Sequence, residues 1–151
     1  MNPPSTILIS ACLLGEPCRF DGQGKKKFEL LEKLKHSELV PFCPEVEGGL
    51  PTPRPPAEVS GERVIRKSGE DVTAQFQKGA SAGVKRAQSQ NITLAILKSR
   101  SPACGCGQVY DGTFTKKLIP GDGIFTQNLK AAGIDCISDE QFLESCLREG
   151  E

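Results

Sequence analysis

The stretch Thr6-Ile7-Leu8-Ile9-Ser10-Ala11-Cys12 is a continuous apolar run that ends on a cysteine. Continuous apolarity, as opposed to strict alternation, marks a strand buried on both faces, the situation of a parallel sheet covered by helices on each side. Two later stretches repeat the arrangement. Leu39-Val40-Pro41-Phe42 leads to Cys43, and Thr93-Leu94-Ala95-Ile96-Leu97 leads through Ser99-Arg100-Ser101-Pro102-Ala103 to Cys104. Parallel strands end on one edge of their sheet, so side chains just past their C-terminal ends converge even when they are far apart in sequence. Three thiols on one edge make a sulfur-bound metal site the first functional expectation.

The segments between these runs read as crossovers. Phe28, Leu31 and Leu34, with Leu30 beside them, predict an amphipathic helix across residues 25–36. Pro41 predicts an imperfect or edge ladder for the second strand. Val64-Ile65 suits a small peripheral strand, and Asp71 is placed to cap a helix whose apolar stripe is Val72, Phe76, Ala80, Val84 and Ala87. Ile124, Phe125 and Leu129 suit a helix stopped by Gly133, residues 134–137 a last strand, and Ser138 with Gln141 a capping box for a final helix. Strand and helix alternate, which predicts an α/β fold: a single-domain three-layer sandwich with a mainly parallel, Rossmann-like sheet, spanning residues 1–151. Glu45 to Glu58 carries four prolines and the adjacent Gly48 and Gly49. It is expected to be neither helix nor central strand, and to serve as an ordered active-site loop.

Composition removes several function classes. The 19 basic and 19 acidic residues balance, and the run Lys25-Lys26-Lys27 opens a helix as a solvated face, so no strong nucleic-acid signature is present. No stretch is apolar enough to span a membrane, and the N-terminus lacks the regions of a signal peptide, so a cytoplasmic location is expected. Seven cysteines in a reducing compartment serve packing, metal binding or catalysis before disulfides. With a single histidine, His36, a metal here is held by sulfur.

The seven cysteines differ in setting. Cys136 falls inside a strand and Cys146 shares a helical face with Phe142 and Leu143, both positions of core packing. Cys12, Cys43 and Cys104 fall at the sheet edge, two of them with polar neighbours suited to chemistry, Glu45 and Ser101. Cys18 and Cys106 each remain open as a fourth ligand. If one of them closes the site, the chain is an iron-sulfur or zinc-binding module for electron transfer, sensing or structure, with no position for a substrate. Gly121-Asp122-Gly123 suits a turn, and Arg54 and Lys98 suit either anion binding or a surface cation with its stem packed down.

Read together, Ser10-Ala-Cys-Leu-Leu-Gly15, Cys18-Arg-Phe-Asp-Gly22, Phe42-Cys-Pro-Glu45, Gly48-Gly-Leu-Pro-Thr-Pro-Arg54, Asp71-Val-Thr73, Ser101-Pro-Ala-Cys-Gly105 and Tyr110-Asp-Gly-Thr113 resemble the DUF523 family and its thiouracil desulfidases. The motifs run in order through nearly the whole chain. The resemblance implies a [4Fe-4S] cluster held by Cys12, Cys43 and Cys104, with a fourth iron free to take sulfur from a thiolated pyrimidine. It implies Glu45 and Ser101 as the catalytic pair, with Ser101, Gly48 and Gly49 at the substrate. The expected reaction exchanges sulfur for oxygen without net electron transfer, turning 2- or 4-thiouracil and water into uracil and hydrogen sulfide. The partner so implied is a small molecule, and no oligomeric state is read from the sequence.

Overall fold

The computed structural model describes residues 3–24 and 26–149; Met1, Asn2 and Lys25, which figure in the N-terminal stretch and the basic run above, lie outside them. In chain order, β1 (Thr6–Ser10) runs into a 3-10 turn (Ala11–Leu14), then α1 (Phe28–Lys33), β2 (Glu38–Phe42) and α2 (Pro44–Glu47). The hairpin β3 (Ala57–Ser60) and β4 (Arg63–Arg66) precedes the long helix α3 (Thr73–Ser89) and β5 (Leu94–Leu97). A second hairpin, β6 (Gln108–Tyr110) and β7 (Leu118–Pro120), is followed by α4 (Ile124–Ala131), β8 (Asp135–Ser138) and α5 (Asp139–Glu149).

The main sheet is wholly parallel, in the order β2-β1-β5-β8. Period-two alternation sends Ile7, Ile9 and Ile96 to one face, where they meet Leu30 of α1, Leu34 at its C-terminal end and Phe142 of α5. Leu8, Val40, Phe42, Ala95 and Leu97 go to the other face, against Phe76, Ala80 and Ala87 of α3 and Ile124, Phe125 and Leu129 of α4. Each large side chain taken fully out of water in these layers contributes about 1.5–3 kcal/mol. The expected three-layer α/β sandwich is therefore present. Pro41 sits in β2, the outer strand, where its missing N–H costs no ladder bond.

Some local expectations change. The first crossover helix is shorter than the periodicity predicts, and its buried pair is Leu30 and Leu34, while Phe28 is 72% exposed with the Lys26 ammonium 5.1 Å from its ring centre. The proline-rich stretch does contain helix: α2 begins with Pro44 at its first position, where proline's absent N–H has no intrahelical partner to lose. Asp71 acts one residue further upstream than a standard cap, its Oδ1 accepting the Thr73 N–H at 2.8 Å. The capping box on α5 is as expected: the Gln141 N–H donates to Ser138 Oγ at 3.0 Å and the Ser138 N–H to Gln141 Oε1 at 2.9 Å. Asp139, fully buried at the start of α5, accepts the Ser99 N–H at 2.8 Å and pairs with Lys27 Nζ at 2.9 Å, tying the end of β5 to both helices of one layer.

The short helix α2 is held in place by glycine. A Cβ on Gly79 of α3 would overlap the Pro44 carbonyl oxygen, and one on Gly48 would overlap the Gln75 carbonyl oxygen. Gly79→Ala therefore tests packing against propensity. Alanine in a helix interior is favoured over glycine by ~1 kcal/mol, yet overpacking costs ~1–3 kcal/mol. A net destabilisation is expected in thermal or urea unfolding, and a stabilised variant would show that α2 does not depend on this close approach.

Candidate metal centre

The order β2-β1-β5-β8 places the topological switch point between β1 and β5, from which the chain winds outward in opposite directions. Ligands of such sheets bind beyond the strand ends at that crevice. Ser10 bridges it, its Oγ accepting the Lys98 N–H at 2.9 Å.

Each cysteine near this edge is positioned by its own turn. Cys12 lies in the 3-10 turn after β1, which Gly15 closes with φ 95° and an N–H donated to the Cys12 carbonyl at 3.0 Å. Cys43 follows β2 directly, and its carbonyl accepts the Glu47 N–H at 3.0 Å to start α2. Cys104 sits in a turn after β5 in which Ser101 Oγ accepts the N–H of Ala103 at 3.1 Å and of Cys104 at 3.0 Å. The start of α4 grips the same turn, with the Ile124 N–H on the Pro102 carbonyl at 3.0 Å and the Phe125 N–H on the Ala103 carbonyl at 2.9 Å.

These thiols line one cavity of about 450 Å³, together with Cys18, Glu45 and Ser101. Cys18 lines the cavity beside them, and its carbonyl accepts from Cys43 Sγ at 3.7 Å. Cys106 turns the other way, its Sγ reaching the Cys136 carbonyl at 3.5 Å beside β8. Of the two cysteines left open by the sequence, Cys18 joins the cavity and Cys106 does not. Gly48 and Gly49 lie outside the cavity lining; Gly48 serves the α2–α3 contact, and Gly49 takes φ 94° in the turn that follows.

The thiols of Cys18, Cys43 and Cys104 are not poised as free nucleophiles. Burial pushes the Cys104 thiol well above the usual range, and the Cys18 contact followed by burial does the same to Cys43. Contact with Cys12 is the main reason Cys18 is pushed up to about 11. A reactive cysteine needs the opposite shift. A raised thiol can still bind a metal, because metal coordination deprotonates thiols outright.

Glu45 is held by Arg54, whose Nε donates to Oε1 at 3.1 Å. Burial raises its carboxyl above the ordinary carboxylate range against the pull of that guanidinium. Arg54 is not the surface cation that the sequence allowed; the anion it holds is the chain's own Glu45. Its side chain is 2% exposed, and it spends its other donors on the Pro51 carbonyl, Thr52 Oγ1 and the Cys18 carbonyl. Tyr110 and Lys116, from the β6–β7 hairpin and its loop, also line the cavity, as do Phe20, Arg19, Lys98 and Arg100. Sequence reading assigned no site role to the hairpin residues; the motif Tyr110-Asp-Gly-Thr113 was the available signal.

The donor set fits a sulfur-bound cluster. Its ligating atoms are sulfur, the softest available to a protein. Among the described residues no three His, Cys, Asp or Glu side chains gather closely enough to chelate a single ion. A cubane cluster takes each thiolate on a different iron, so it uses thiols spread around a cavity.

The sequence profile of the 2-thiouracil desulfurase family matches residues 7–141, from the first strand to the final helix. The chain belongs to that family. Among proteins similar to this desulfurase-family chain is the uncharacterised YbbK of Bacillus subtilis, 37% identical over 145 residues, covering 89% of this chain and 96% of YbbK. Among solved structures, the [4Fe-4S]-dependent thiouracil desulfidase TudS superposes with a TM-score of 0.86 at 43% identity, over 97% of this chain and 99% of that one.

Proposed function

We propose that this chain is a desulfidase that hydrolyses the C–S bond of a thiolated pyrimidine at a [4Fe-4S] cluster carried by Cys12, Cys43 and Cys104. The observation that carries the reading is the meeting, in one cavity, of thiols from three strand ends with the carboxylate of Glu45 and the hydroxyl of Ser101. When bound, the cluster supplies an iron with an open coordination position, a Lewis acid with affinity for thiocarbonyl sulfur.

The chain's own residues do the rest. Glu45 leaves Oε2 without a hydrogen-bond partner among the described residues, because Arg54 takes Oε1. That oxygen takes a proton from the attacking water, or in its acid form gives one to a ring nitrogen. Ser101 Oγ accepts two backbone N–H groups, which fixes the oxygen and leaves the hydroxyl hydrogen to donate to the substrate. The balance is one water in and one hydrogen sulfide out, with carbon–oxygen replacing carbon–sulfur and no electrons exchanged.

The test is anaerobic incubation of the cluster-loaded protein with 2- and 4-thiouracil, following loss of thione absorbance and release of sulfide together. Equal amounts of both are expected. Absorbance loss without sulfide, or no reaction with either compound, would remove thiouracil desulfidation from this chain.

A further inference from the structure

Arg54 stands out among the charged residues of the cavity because it is buried and commits four of its five N–H donors to the protein. Its guanidinium makes four hydrogen bonds: Nε to Glu45 Oε1 at 3.1 Å, Nη1 to Thr52 Oγ1 at 3.0 Å and to the Pro51 carbonyl at 3.2 Å, and Nη2 to the Cys18 carbonyl at 2.8 Å. Its own N–H donates to the Phe20 carbonyl at 2.7 Å. These contacts join three segments that are separate in sequence: the loop carrying Cys18 and Phe20, the helix carrying Glu45, and the proline-rich turn in which Arg54 sits.

A planar fork of five N–H donors suits this task as an ammonium does not, since one donor orients a carboxylate while the others are anchored in fixed directions. The anchors decide where the Nε–H points. Glu45 is the only residue of α2 that Arg54 bonds among the described residues, and no other side chain among them hydrogen-bonds its carboxylate.

We infer that Arg54 is a positioning residue for the desulfidation reaction, setting the orientation of the Glu45 carboxylate from a guanidinium anchored on Pro51, Thr52 and Cys18. The inference rests on the reading of Glu45 as the acid–base group. Arg54 itself does not touch the substrate's reacting atoms; it acts through Glu45.

The experiment is a double-mutant cycle on iron-loaded protein, with Arg54→Lys made in the parent and in Glu45→Gln, and iron content and visible absorption recorded for every variant. Arg54→Lys keeps the buried positive charge and loses the fork. In the parent background it is expected to keep iron and absorption, lower kcat about 10- to 100-fold as expected for a displaced catalytic group, and leave KM nearly unchanged. In the Glu45→Gln background it is expected to lower kcat no further. Guanidinium ion added to Arg54→Ala should restore part of the lost turnover, and should restore none in Arg54→Ala combined with Glu45→Gln. Equal losses in both backgrounds, unchanged kcat, or loss of iron from Arg54→Lys each overturn the inference, the last because the guanidinium would then be holding the cluster loops. If Glu45→Gln turns over like the parent, it is the role of Glu45 that fails, and any loss from Arg54→Lys there shows Arg54 acting without it.

Discussion

Glu45→Gln is expected to keep the iron and visible absorption of the parent and to turn over thiouracil ~10²- to 10⁴-fold more slowly, the usual contribution of a positioned acid–base group. The substitution preserves shape and leaves an amide oxygen for the Arg54 bond, so the carboxylate's proton chemistry is what it removes. It also leaves the Arg54 guanidinium, 2% exposed, without its counter-charge. Breaking such a pair costs about 3–5 kcal/mol. Turnover must therefore be expressed per iron-loaded, folded molecule, with melting curves recorded beside it. Glu45→Asp separates the two effects. It keeps the charge and shortens the arm, so it should recover stability while remaining slow. Full activity in the Gln variant would take Glu45 out of the mechanism.

Serine substitution at Cys12, Cys43 or Cys104 is expected to abolish cluster assembly, read as loss of iron, labile sulfide and visible absorption after anaerobic reconstitution. Each of these thiols follows a different strand and is held by its own turn, so none can replace another without moving a strand or its turn. Cys106→Ser should reconstitute like the parent, because its thiol faces the Cys136 carbonyl at 3.5 Å and lies outside the cavity lining. Cys18→Ser decides between the two site designs. Cys18 lines the same cavity as the proposed ligands, with its carbonyl 3.7 Å from Cys43 Sγ, and an open-iron site predicts retained iron with a perturbed spectrum. Loss of the cluster in this variant would make the site a four-cysteine one, closed to substrate.

How much of this was legible beforehand follows from the range of the forces involved. The parallel sheet could be read from Thr6–Ser10 and Leu94–Leu97 because burial on both faces forces continuous apolarity, a local signature. The thiol edge followed from strand direction alone. Which apolar residues of the first helix reach the core is not legible, because Phe28 satisfies the helical period yet lies outside beside Lys26, and periodicity does not tell which apolar residue wins the core. Proline content hides the one-turn helix α2, because proline argues against helix interiors while Pro44 stands at the first turn, where it is tolerated. The β6–β7 hairpin escaped for a plainer reason. Its strands are three residues each, and Leu118–Pro120 is exposed throughout, so no burial pattern marks it.

The sequence by itself determined that the chain is an α/β sandwich, that Cys12, Cys43 and Cys104 gather at one sheet edge, and that the donor atoms on offer there are sulfur. These depend on residue type, periodicity and the shared direction of parallel strands, all carried along the chain. Only the tertiary structure decided that Cys18 enters the cavity and Cys106 leaves it, that Gly48 packs α2 on α3, and that Arg54 is an internal clamp on Glu45. Those outcomes depend on which loops meet across the switch point and which donors are left for a buried guanidinium. Such contacts join residues up to 36 positions apart, as between Arg54 and Cys18, and no local pattern records them.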